Sequence, residues 1–415
     1  MRLITARLLC ILSLAQKGAT LRTVLPSLGE GLGVGLLIFT SSCEREPLLH
    51  LYDSADADFT LPMVTLDLEV YWNYEIGYNV YYDWRTEWNY GWDETDRSIF
   101  GEIGYTEPKV FNLRRYYTGS TAYAPHTSVI SATMEGTTYQ GRFDWGFWDL
   151  LVWNEVTTLD GVQSLHFDET TSLDTVTAYT NQSMNAARYQ APRYTRAFYE
   201  PEALFAAYNQ AIEINRNLDG FIYDEERNVW VKHLNMTLQP ITYIYLTQVI
   251  LRHNNGRVTS IDGNANLSGM ARTTTVNTGQ AGSDAITVYY HARMKKDLTI
   301  EHPVAGTLKG EKADIVGGRL LSFGLCSNTP NRISRAEEVI DPHHHYMDVT
   351  MQFINGMDST FVFDVTDQVR KRYKGGVITV VLDMDTIPTP TRRGGSGFDA
   401  VVKDFEDGGT HEFSM

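Results

Sequence analysis

Met63-Val64-Thr65-Leu66-Asp67-Leu68-Glu69-Val70-Tyr71-Trp72 is the stretch from which the fold is read. Leu66, Leu68, Val70 and Trp72 alternate with Asp67, Glu69 and Tyr71. A period of two places the apolar side chains on one face of an extended chain and the polar ones on the other, which is a half-buried β-strand. The same signature returns along the chain between turn residues. The first half reads as strands over 99–105, 109–116, 128–134 and 143–154, the last carrying Trp145, Phe147, Leu150, Val152 and Trp153. Short strands at this spacing predict an all-β sandwich.

Downstream, residues 180–200 lose periodicity and hold Pro192 with Arg188, Arg193 and Arg196, so a domain boundary is placed there. Pro201 then suits the first turn of a helix over 201–214, with Leu204, Phe205, Tyr208 and Ile212 on one face. Beyond it the alternation resumes over 237–252, with Pro240 demoting that end to an edge. Asn254-Asn255-Gly256-Arg257 reads as a turn. Further strands are expected over 258–267, 285–292, 320–326, 346–353, 360–365 and 377–382. A short helix after Thr366 has Lys371 and Arg372 at its C-terminal end and Gly375 to close it. Phe398, Val401, Val402 and Phe405 suggest one last edge strand.

Upstream lies a different signal. Leu36-Leu37-Ile38-Phe39-Thr40-Ser41-Ser42-Cys43 runs from an apolar patch through small residues to a cysteine, and Glu44, Arg45 and Glu46 follow. This is the outline of a lipobox, in which a signal peptidase cuts before a cysteine whose thiol carries a diacylglyceryl group. The expectation is a lipoprotein signal peptide over 1–42, lipid attachment at Cys43 and a polar, acidic tether over 43–60. An N-terminal β-sandwich domain over 61–195 and a C-terminal one over 196–415, with a short helix near its start, complete the organisation.

Composition narrows the function classes. The chain has 415 residues and a formal charge of −16. Residues 1–42 carry Arg2, Arg7, Lys17, Arg22 and Glu30, a net +3, so the processed chain holds −19. A phosphate-binding surface needs clustered Lys and Arg, so nucleic acid is excluded as a partner. Of three cysteines, Cys10 leaves with the leader and Cys43 is lipidated. Cys326 remains alone, so packing rather than a disulfide framework holds the fold.

The sequence presents no catalytic constellation and no cofactor motif. His343-His344-His345 lacks the spacing of a zinc site, because consecutive residues in a strand point to alternating faces. Asp383-Met384-Asp385 and Asp93-Glu94-Thr95-Asp96 have acidic spacings that calcium tolerates, and both read as solvated loops. The segment after the first strand is unusually aromatic. Trp84, Trp88, Tyr90 and Trp92 suit sheet packing, or alternatively a stacking platform for a lipid-anchored glycan-binding protein.

The order of these features resembles the fimbrillin-like lipoproteins of Bacteroidota, of the minor-fimbrial anchor or accessory type. The segments that carry the resemblance are Cys43, 62–72, 145–154, the expected helical region 201–214 before the second domain, 239–251 leading to Asn266-Leu267-Ser268-Gly269-Met270-Ala271, and Phe363-Asp364-Val365-Thr366-Asp367-Gln368-Val369 ahead of 376–382. The resemblance implies two transthyretin-like β-sandwich domains. It also implies a non-catalytic pilus (fimbria) anchor, accessory subunit or adhesin, held in the outer membrane by an N-terminal lipid and exposed at the surface. Polymerising members release an N-terminal strand by proteolysis at an arginine, and a strand of the next subunit fills the groove. Arg85, Arg97, Arg114 and Arg115 lie after the first strand, and none is singled out as that site.

Overall fold

The computed structural model describes residues 61–70, 82–156, 163–169, 175–181, 197–304, 306–327, 343–391 and the backbone of 400–402. The expected signal peptide, Cys43 and the expected tether fall outside the described residues, as do Trp72 and residues 182–196. Leu61–Met415 forms one compact unit.

The first strands in chain order are β1 (Met63–Val70), β2 (Val110–Gly119), β3 (Ser128–Glu135), β4 (Thr138–Arg142) and β5 (Gly146–Asn154). Next come the short β6 (Leu165–Asp168), β7 (Thr177–Thr180) and β8 (Ala197–Tyr199), then β9 (Phe205–Ile214), β10 (Ile222–Asp224) and β11 (Val229–Pro240). The second half holds β12 (Tyr243–Arg252), β13 (Val258–Ala271), β14 (Thr273–Thr275), β15 (Gln280–Ala281), β16 (Ala285–Thr299) and β17 (Lys312–Ser322). It ends with β18 (Tyr346–Phe353), β19 (Asp358–Asp364), β20 (Gly376–Asp383) and β21 (Ala400–Val402). Among the described residues two α-helices interrupt the strands, α1 (Glu94–Phe100) and α2 (Thr366–Lys371).

β4-β1-β11-β10 face β3-β2-β5-β9 as the two layers of a sandwich, joined where Gln239 and Pro240 pair with Ala206 and Phe205. Val64, Leu66 and Leu68 of β1 enter its core with Phe111, Trp148, Leu150, Phe205 and Met236. Period-two alternation carries each apolar set to the same side. A second sandwich is built from β20-β12-β17-β16 and from β16-β13-β18-β19-β21, with β8 added to β16. The long β16 belongs to both layers, and its core gathers Val249, Leu267, Val288, Met347, Phe361 and Val380. A small sheet, β6-β7-β14-β15, contributes Leu165, Val176 and Ala178 to a third cluster. There they meet Tyr116, Leu151 and Trp153 from the outer face of β2 and β5.

Four expectations are corrected. Residues 201–214 are not helical: 201–204 are irregular and Phe205–Ile214 form β9. Ala211 has φ +57°, and the β5–β9 register shifts between Trp148 and Leu150. This bulge inserts a residue, so Phe205 and Ile212 face the same core although they stand an odd number of places apart. The apparent helical period is a strand with a phase change. Residues 99–105 are not a strand. Asp93 caps α1 in a capping box with Asp96, and the chain then runs on as loop.

The single run expected over 237–252 breaks at Ile241 and Thr242, where the chain passes from the first sandwich to the second. The expected division at 195/196 does not separate the sandwiches either: β8 already lies in the second, while β9, β10 and β11 return to the first. Pairing partners that far apart in the chain leave no local trace.

β17 begins at Lys312, ahead of the expected 320–326 run, and passes through Gly317-Gly318. An added Cβ at Gly317 would stand 2.5 Å from Tyr90 Cγ, and one at Gly318 would stand 2.9 Å from Tyr290 Cε2. Each glycine is thus roofed by a tyrosine ring, one on either face of the sheet.

Candidate functional site

β1 lies inside its sheet rather than at the rim. It pairs in parallel with β11 over Met63–Val70 and Val231–Leu238, and antiparallel with β4 from Met63↔Arg142 to Asp67↔Thr138. Val64 and Leu66 are almost wholly buried, while Glu69 is exposed. Removing β1 would open a slot between β11 and β4, floored by the first core and lined by the unpaired edges of both neighbours. An edge strand presents such a ready-made template for another chain.

The segment that follows β1 crosses to the second sandwich and is bolted down there. Trp88 and Tyr90 pack edge to face at 5.5 Å and sit in a core with Ile244, Leu246, Ile315, Leu321 and Val377, on the outer face of β12, β17 and β20. Trp84 and Trp92 pack against the same cluster, half-buried. The four aromatics therefore do not form a solvent-facing row: the two central rings are core, in line with sheet packing rather than with the alternative of a glycan platform.

Polar contacts complete the strap. Gln248, fully buried, accepts from Asn89 N–H at 2.9 Å and donates to Glu87 C=O at 2.6 Å and to Thr379 Oγ1 at 2.9 Å. Tyr90 O–H donates to Asp96 at 2.9 Å. Arg293 and Lys295 of β16 reach both Asp93 and Asp96, with Lys295 Nζ 2.5 Å from Asp96 Oδ2 and 4.1 Å from the Tyr90 ring centre. Burial and the Asp96 carboxylate push the Tyr90 phenol up. At Asp93 some desolvation is outweighed by the Asp96 N–H, Lys295 and Arg293, which hold the carboxyl far below its usual range. The acidic cluster expected to be a solvated loop is thus a capped helix end matched by two cations of the second sandwich.

The arginines after β1 differ in access. Arg85 lies in a single 3₁₀ turn, its side chain 58% exposed, and Arg97 on α1 is 50% exposed. Arg114 is 12% exposed and Arg115 is buried, both within β2.

The remaining polar groups resolve into structural roles. Asp149 of β5 accepts from Ala211 N–H at 2.8 Å and from Tyr208 O–H at 3.1 Å, and lies 2.9 Å from His126 Nε2. It satisfies the amide that the bulge in β9 frees. The three consecutive histidines diverge. His345 is buried, with Nδ1 3.2 Å from Ser268 C=O, while His344 is exposed near Asp364. His253, Asp383 and Asp385 bring three possible donor atoms within 4.8 Å of one another. There the imidazole bonds to Asp383 at 2.9 Å, which raises the His253 pKa and lowers that of Asp383. Arg252 sets a further positive charge beside them. The arrangement reads as an internal ion pair between a turn and the end of β20. Cys326 is buried in the third core, its thiol 3.8 Å from Gly269 C=O.

No protein-family model and no curated protein sequence matches this chain. Among solved structures, a candidate adhesin from Bacteroides ovatus aligns at 11% identity over 79% of this chain and 94% of its own, with a TM-score of 0.42. The fimbrial anchor protein Mfa2 from Porphyromonas gingivalis aligns at 9% identity over 78% and 91%, with a TM-score of 0.34. Candidate polysaccharide-binding proteins of Bacteroides thetaiotaomicron align at 6% identity over 78% and 91%, with a TM-score of 0.36.

Proposed function

We propose that this protein is a non-catalytic cell-surface lipoprotein that serves as a fimbrial anchor, accessory subunit or adhesin. Its signal peptide is removed before Cys43, and the lipidated Cys43 and its tether hold two β-sandwiches at the outer membrane. The observation that carries the reading is the placement of β1. The first described strand after the tether occupies an internal slot between β11 and β4, a position from which strand exchange with another subunit proceeds by sheet augmentation. Of Arg85, Arg97, Arg114 and Arg115, Arg85 is the most exposed and the one we assign to proteolysis. Cleavage there would sever β1 from Trp88 and Tyr90, with Tyr82 and Trp84 still to release before β1 exchanges. A chain that keeps its lipid instead keeps β1 and serves as the base. The reading of a glycan platform on Trp84, Trp88, Tyr90 and Trp92 finds no support in their burial.

Metabolic labelling with a fatty-acid analogue tests the anchor. Wild type should incorporate label, and Cys43→Ala should lose it and appear in the medium. Unchanged membrane association of the unlabelled variant would sink the reading.

A further inference from the structure

β3 is the terminal strand of its layer, and it lacks the devices that ordinarily protect an edge. It pairs with β2 in unbroken antiparallel register from Val110↔Glu135 to Tyr117↔Ser128, with no bulge. Ser128-Val129-Ile130-Ser131-Ala132-Thr133-Met134 contains no charge and no proline, and only Glu135 closes it. Ser128, Ile130, Ser131, Thr133 and Glu135 are exposed, and no described strand pairs on its far side. Natural edge strands are kept short, charged, kinked or covered, because a bare one is a template for another chain.

The hydrogen-bond phase shows which groups are on offer. Gly136 N–H donates to Lys109 C=O on the β3 side of β2, and Glu155 N–H donates to Val110 C=O on the β5 side. Antiparallel ladders alternate, so Phe111, Leu113 and Arg115 bond Met134, Ala132 and Ile130. The N–H and C=O of Val129, Ser131 and Thr133 therefore point away from β2.

We infer that β3 is a self-association edge, on which a second copy of this chain pairs antiparallel about a two-fold axis through Ser131. In that register Ser131 meets its own copy, and Val129 of each copy faces Thr133 of the other. On the opposite face Ile130 meets Ala132, which covers an apolar side chain now 39% exposed. Glu135 falls opposite Thr127, so no like charges oppose each other. The strand is self-complementary, as an isologous interface requires. A chain carrying −16 repels its copies elsewhere, and β3 is an uncharged gap in that surface. One strand pair buries less than a standard interface, so the dimer is expected to be weak, with a Kd on the order of micromolar. The inference does not depend on the lipid anchor or on release of β1.

Sedimentation of the purified protein over about 1–100 μM at about 0.15 M salt, where exposed charges are largely screened, tests it. Wild type should shift from monomer to dimer across this range. Ser131→Pro removes an N–H that β2 does not use, and Ile130→Lys adds the missing edge charge. Both should remain monomeric with wild-type circular dichroism. Ala132→Pro, by contrast, strikes an N–H bonded to β2 and should lower the melting temperature. A monomeric wild type across the range overturns the proposal, as does dimerisation of folded Ser131→Pro and Ile130→Lys at wild-type affinity. Capture of a foreign strand without self-association overturns it equally.

Discussion

Replacing Gly317 by alanine should loosen the strap that follows β1, against the usual direction of such a change. At an unconstrained strand position, Gly→Ala gains about 0.5–1 kcal/mol by restricting the unfolded chain. Here the new Cβ would stand 2.5 Å from both Cγ and Cδ2 of Tyr90 and 2.8 Å from Cδ1. The ring cannot slide freely. It is 1% exposed, sits against Trp88, and is tied through its hydroxyl to Asp96, which Arg293 and Lys295 hold from β16. Overpacking of this kind costs about 1–3 kcal/mol. Expelling the ring altogether would expose on the order of 200 Å². That corresponds to about 5 kcal/mol at 25 cal/mol per Å². The cheaper outcome is a strained but seated ring, with net destabilisation of about 1–2 kcal/mol after the alanine gain is subtracted. Hydrogen exchange of the 88–100 amides reads the effect locally, and a denaturant melt reads it globally. Faster exchange over 88–100, with β18 and β19 little changed, is expected. Unchanged exchange together with an unchanged or raised midpoint would show that Tyr90 on Gly317 does not hold the strap.

Two further outcomes follow from the same structure. Limited trypsin digestion should cut at Arg85 and Arg97 before Arg114 or Arg115, because the first pair is half-exposed outside the sheets and the second lies within β2. Mass spectrometry of the first fragments checks the order, and early cleavage at Arg114 would contradict the placement of β2. Burial, only partly offset by the Asn266 amide, pushes the buried Asp348 carboxyl up to about 7. A raised folded-state pKa means that the stabilising contribution is complete below the unfolded value near 4 and is lost as pH rises through about 7. Asp348→Asn should therefore flatten the fall in melting temperature between about pH 4 and 7. An unaltered slope in the variant would show that Asp348 does not titrate across this window.

Much of the fold is legible in local pattern. β1, β5, β18, β19 and β20 lie where the apolar pattern predicts them, because each keeps an unbroken phase along its length: β1, β18 and β19 turn one apolar face to one core, and β5 and β20 are covered on both faces. α2 forms where Thr366 and the basic residues predict a short helix, but Thr366 is its first residue rather than a side-chain cap, and the helix ends at its C-cap Arg372, ahead of Gly375 at φ +96°. The failures also have local causes. At β9 the Ala211 bulge changes the phase of an alternating pattern, and the resulting spacing mimics a helix. At β17, Gly317-Gly318 reads as a breaker, yet the strand continues because tyrosines distant in sequence cover both faces. At 84–92, aromatic density signals burial or binding equally, since both use large rings.

The sequence by itself determined that this chain is all-β and acidic. These properties depend on composition and on neighbours within a few residues. The tertiary structure alone decided what each strand does. β1 lies parallel to β11, a strand about 165 residues away, so the slot it fills cannot be read from either segment. The aromatic strap is bolted to the second sandwich by Gln248, Arg293 and Lys295, each distant in sequence from the residue it holds. β3 is an open edge because no described strand returns to pair with it. Alternation states that a strand has an inside and an outside, whereas its lateral neighbours are set by how the whole chain returns upon itself.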